Sequence, residues 1–166
     1  TKHSPEPEMN YFLKRILLPA ILAGMILVSC DPKKVFDEYR TIPGATWAAD
    51  SVMEFSFSVA RKTDNHNLYF NIRNDQKYGF SNLWLFVTLV PPAGPVLTDT
   101  TQVILAEPSG RWIGKGFCGV YDNRFIYRRN VYFPEPGRYS IRIRHGMRPE
   151  MLTGITDFGV RIEKVN

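Results

Sequence analysis

The sequence predicts an all-β fold: a β-sandwich, Ig-like or jelly-roll, of about seven or eight antiparallel strands, preceded by a cleaved signal peptide. Three observations lead there. Apolar residues recur with period two in run after run, and helical periodicity is almost absent beyond residue 30. Dense Gly/Pro clusters separate those runs at intervals of about 10 to 15 residues. At 166 residues, 44% of them hydrophobic, the chain can fill the core of one domain and is short for two.

The first segment is read differently from the rest. Thr1–Glu8 is polar and Pro-containing, and Met9 is read as the true start. Lys14 and Arg15 then supply a positive n-region, and residues 16–28 form a run of 13 without a charge. That run is short of the roughly 20 residues a spanning helix requires and suits a signal h-region. It ends in Leu27-Val28-Ser29-Cys30, a lipobox. The thiol is the group that forms a thioether with diacylglycerol, and the small Ser29 admits the peptidase. Two or three acyl chains on Cys30 anchor a protein stably, where one chain would not. The expected organisation is therefore 1–29 removed, 30–45 a lipidated tether and 46–166 the sandwich. Once Cys30 is acylated, Cys118 is the remaining thiol, so no intrachain disulfide is expected and Cys118 reads as a small core residue.

Within the mature chain, Val35–Tyr39 packs on the domain or extends as a first strand. Met53–Val59 alternates, with Met53, Phe55, Phe57 and Val59 inward. Leu68, Phe70 and Ile72 repeat the pattern, with Tyr69, Asn71 and Arg73 outward. Leu83–Val90 is apolar on both sides and reads as a central strand, which puts Trp84 in the core. Thr98–Leu105 is a Thr-rich strand and Phe125–Phe133 an aromatic one. Tyr139, Ile141 and Ile143, then Phe158, Val160 and Ile162, mark the last two inward rows.

The net charge of +5 is mild. From Glu107 onward there are 11 basic against 6 acidic residues, which suits an acidic partner or a solvated face, but no run is dense enough for nucleic acid. Gly114–Gly119 spells G-x-G-x-x-G, yet Val120-Tyr121-Asp122-Asn123 after it reads as a turn entering a strand, so no dinucleotide site is expected. His66 and His145 lack metal-ligand spacing, and no triad or zinc motif is present. The reading is no enzyme, no metal and no cofactor. Trp47 and Trp112 stand near breakers, where exposed indoles could stack on a glycan; this is the alternative function.

Several segments, taken in order, resemble the gliding-motility lipoprotein GldH family of the Bacteroidetes. They are the lipobox with Val35–Tyr39, Ile42–Trp47 with Asp50-Ser51, Asn67–Asn74, Ser81–Leu89, Gly110–Gly116, Tyr121–Arg124, Pro136–Ile143, Gly146–Arg148 and Gly159–Lys164. The resemblance implies a non-catalytic lipoprotein needed for gliding and associated with type IX secretion, and carries over one defined role, lipid attachment at Cys30. Asp31-Pro32-Lys33-Lys34 lacks an acidic cluster after the cysteine, which points to the periplasmic face of the outer membrane. The expected partners are the membrane and other envelope proteins. The expected contact surface is Arg111, Trp112 and Arg124 together with Arg142 and Arg144.

Overall fold

The computed structural model describes residues 31–60 and 64–165; the expected signal segment and lipidation site, Cys30, lie outside the described residues. Eleven strands occur in the order β1 (Lys34–Thr41), β2 (Thr46–Ala48), β3 (Met53–Val59), β4 (Asn65–Asp75), β5 (Asn82–Val90), β6 (Leu97–Ile104), β7 (Lys115–Phe117), β8 (Val120–Tyr132), β9 (Gly137–His145), β10 (Met151–Thr153) and β11 (Ile155–Lys164). The long ones coincide with the alternating runs of the sequence. The additions are β2, β7 and β10, of three residues each, too short to show a period.

All pairings are antiparallel and fall into two principal sheets, β1-β11-β4-β8-β7 and β3-β9-β5-β6, with β2 and β10 forming a small ribbon. Within the stretch expected as a tether, Lys34–Thr41 is the outermost strand of the five-stranded sheet, in register with β11 from Phe36↔Ile162 to Thr41↔Asp157. The sandwich closes because every inward row is apolar. Phe55, Phe57, Leu83, Leu85, Ile141 and Ile143 come from one sheet; Phe70, Ile72, Phe158, Val160 and Ile162 come from the other. Aromatic pairs join the layers, Phe55 to Phe158 at 6.3 Å and Phe36 to Phe57 at 5.9 Å between ring centroids.

Three side chains depart from the sequence reading and a fourth, Asn71, is buried on the face expected for it, each for a local reason. Trp47 is only 1% exposed; its ring packs on Phe158 and His145, and its Nε1 donates to the Ser51 carbonyl at 3.0 Å. Trp84, expected in the core, points outward and is 40% exposed, because the inward row of β5 is Leu83, Leu85 and Val87. Asn71 faces outward as expected, yet it is buried beneath its neighbours on that face. Cys118, expected as a core residue, is exposed in the tight turn joining β7 to β8, at φ +48°. No helix among the described residues is long and apolar enough to cross a membrane.

Candidate functional site

The segment 111–124, picked out by sequence, builds one margin of the five-stranded sheet. After β6 the chain makes a short bridge, Ala106 to Trp112, and then enters the β7–β8 hairpin. The hairpin tip projects: Phe117 is 81% exposed, and Ile113 beside it is also exposed. A groove of about 710 Å3 lies against this margin, lined by Ile113, Lys115 and Phe117, by Asp122 and Arg124 of β8, and by Tyr39 of β1. Tyr39 reaches across the sheet because its partner is Gly159; a Cβ there would meet the Glu38 carbonyl at 2.9 Å and the Tyr39 ring at 3.0 Å.

The floor of this face is a ladder of polar side chains crossing four strands. Arg124 Nε donates to Asn71 Oδ1 at 3.1 Å, and Asn71 Nδ2 donates to Asp37 Oδ1 at 3.4 Å. Asp37 Oδ2 receives Arg161 Nη1 at 2.6 Å, while Arg161 Nε reaches Glu163 at 2.6 Å. Arg161 is 8% exposed, so this pair of carboxylates is what allows its charge to be buried. Above it, Arg73 lies 4.4 Å from the centre of the Tyr39 ring and pairs with Asp122 at 3.4 Å. Burial, followed by the Asp122 charge, pushes the Tyr39 phenol up. The face therefore offers fixed donors and acceptors around an apolar lip. It contains no nucleophile–base pair, and among the described residues no group of His, Cys, Asp or Glu is arranged to hold a metal.

The five residues expected to form one contact surface are placed in three locations. Arg111 pairs with Glu107 within its own turn, and Trp112 is half-buried against Tyr78 and Tyr121. Arg124 lies in the groove on the five-stranded sheet. Arg142 and Arg144 stand on the outer face of the opposite sheet, Arg142 paired with Glu54 at 3.2 Å and Arg144 over the Phe86 ring at 5.5 Å. Sequence proximity could not separate these faces, since strand order decides which residues share a sheet. Trp47 is buried and offers no open indole platform for a glycan, while Trp112 keeps only part of its surface exposed beside Tyr78 and Tyr121.

Comparison with known proteins covers the same stretch. The chain matches the GldH lipoprotein family over residues 34–162, from the first strand to the last. The chain belongs to that family. It is 38% identical over 151 residues to the gliding motility lipoprotein GldH of Flavobacterium johnsoniae, covering 87% of this chain and 93% of that protein. A GldH homolog of Christiangramia forsetii is 38% identical over 151 residues, with 87% and 92% covered. Among solved structures, dimeric latent PorU of Porphyromonas gingivalis aligns over 82% of this chain and 14% of its own, at 11% identity and TM-score 0.35, too distant to carry an argument.

Proposed function

We propose that this chain is a non-catalytic lipoprotein of the gliding-motility and type IX secretion apparatus, held by lipid on Cys30 at the periplasmic face of the outer membrane. Family membership across the whole folded domain supports the gliding role, and the relatives' names carry the same word. It works by protein–protein contact, and the projecting Phe117 is the observation that carries this reading. A phenyl ring 81% exposed at a hairpin tip, with exposed Ile113 lining the same groove among fixed polar groups, is apolar surface that a partner would cover.

The test is crosslinking and co-purification from native membranes of a gliding host, with tagged wild type, Cys30→Ala and Phe117→Asp. Wild type should bring down known gliding or secretion components. Cys30→Ala should lose membrane retention and those components together, and Phe117→Asp should lose the components while staying at the membrane. Equal recovery with Phe117→Asp would remove the hairpin tip from the contact.

A further inference from the structure

The opposite sheet carries a second, chemically different surface. On the outer face of β5, Trp84 and Phe86 stand two residues apart, which is about 6.6 Å along a strand, and are 40% and 41% exposed. They line a shallow groove of about 510 Å3 with Phe80, Asn82, Thr100 and Arg148. The strand that carries the rings is held in place. The backbone N–H of Trp84 donates to Met147 Sδ at 3.3 Å and its carbonyl accepts from Gly146 N–H at 2.7 Å. Gly146 lies under the Phe86 ring, where a Cβ would come within 3.0 Å of it.

The flanks of this groove are of one kind. β6 presents Thr98, Thr100 and Gln102, opposite Thr88, Phe86 and Trp84 in register. β9 presents Arg144 opposite Phe86, and Arg148 closes the end. Arg144 and Arg148 have no acidic partner among the described residues; the outward carboxylate of this sheet, Glu54, is taken by Arg142 and Ser140. β5 is hydrogen-bonded on both sides, to β6 and to β9. An extended peptide lying over β5 therefore finds no free backbone groups to pair with. β6 beside it is the outermost strand of this sheet, but its free edge faces away from β5. Over the groove, recognition falls to ring faces, hydroxyls, amides and guanidinium groups.

We infer that this face binds a carboxylate-bearing polysaccharide. Sugar rings stack on Trp84, beside the Phe86 ring that carries Arg144 over it; their hydroxyls meet Thr100 and Gln102, and uronate carboxylates meet Arg144 and Arg148, whose planar forks match that group. This site is separate from the hairpin tip and does not depend on the protein contact made there.

The test is affinity electrophoresis of the full lipoprotein in neutral detergent, through gels containing polygalacturonate, alginate, hyaluronan or neutral dextran. At least one uronate polymer should retard the wild type, and dextran should retard it much less. Trp84→Ala should weaken retardation about tenfold, as the loss of one stacking contact, and Trp84→Phe should restore most of it. Arg144→Gln with Arg148→Gln should abolish the preference for the acidic polymers over dextran. All of these substitutions are at exposed positions, and unchanged thermal midpoints would certify the fold. No retardation by any uronate polymer overturns the inference. So does retardation that survives Trp84→Ala and vanishes at high salt, which would be attraction between charges alone. A loss of membrane partners in Trp84→Ala, with no polymer binding by wild type, would assign the face to a protein instead.

Discussion

Three tryptophans show how much a single side chain depends on its surroundings. Trp47 and Trp84 differ in exposure from 1% to 40%, though the sequence suggested the reverse order, and Trp112 lies between them, half-buried. Trp47→Ala should cost about 3–5 kcal/mol, as for other fully buried aromatics, and Trp84→Ala less than about 1 kcal/mol. Urea unfolding of the two variants checks both values. Gly154 is a sharper case. It sits at φ +96°, and a Cβ there would lie 2.3 Å from the Tyr78 backbone nitrogen. Gly154→Ala should therefore destabilise by about 3 kcal/mol, from left-handed strain and a clash with backbone that cannot rotate away. A cost under about 1 kcal/mol would mean that the turn between β10 and β11 relaxes freely.

At the scale of elements, the two sheets are tied along their open margin by one carboxylate. Asp99 of β6 accepts from Tyr127 at 2.9 Å and from Arg128 at 2.6 Å, both on β8 of the other sheet. Partial burial raises its pKa, but these two hydrogen bonds outweigh that and hold the carboxyl below its ordinary range. Burial and the bond to Asp99 push the Tyr127 phenol up to about 12. Asp99→Ala should cost about 1–2 kcal/mol, since it leaves a half-buried hydroxyl without its acceptor. It should also raise hydrogen exchange in β6 more than in β11. Uniform loss of protection would show that the link is not local. β1 is the element whose role composition obscured. Its alternation is blurred because Tyr39 and Asp37 serve the outer face while Phe36 packs against the core.

For the whole molecule, stability should depend on pH through two histidines buried near opposite ends of β11. His66 and His145 are each 2% exposed, and burial holds both below the ordinary imidazole pKa of 6.5. Burial is the cause at His145, and it outweighs the Trp47 carbonyl, which lies 3.1 Å from Nε2 and favours the charged ring; Nδ1 lies 3.3 Å from Met147 N–H. The unfolded chain binds protons more readily than the folded one below about pH 6.5, so stability falls as pH drops through that value. Above it, neither histidine contributes a slope. Thermal midpoints should be level from pH 8 to 7 and decline from pH 6.5 to 5, and His145→Asn should flatten part of that decline. A flat profile in the wild type would contradict the burial of both rings.

By itself the sequence carried the expectation of a lipobox, and it determined the all-β class and nearly every inward-facing row. These are local patterns, set by the period of a strand and by the chemistry of a short signal, and they need no knowledge of neighbours. The ordered segments also carried the family likeness. What the tertiary structure alone decided was adjacency. Strand order put Arg124 on one outer face and Arg144 on the other, buried Asn71 and Arg161 under neighbours distant in sequence, and turned Trp84 to solvent on a strand apolar along both sides. The physical reason is that a strand's two faces are fixed locally, whereas the identity of what covers each face is fixed by pairing across the whole chain.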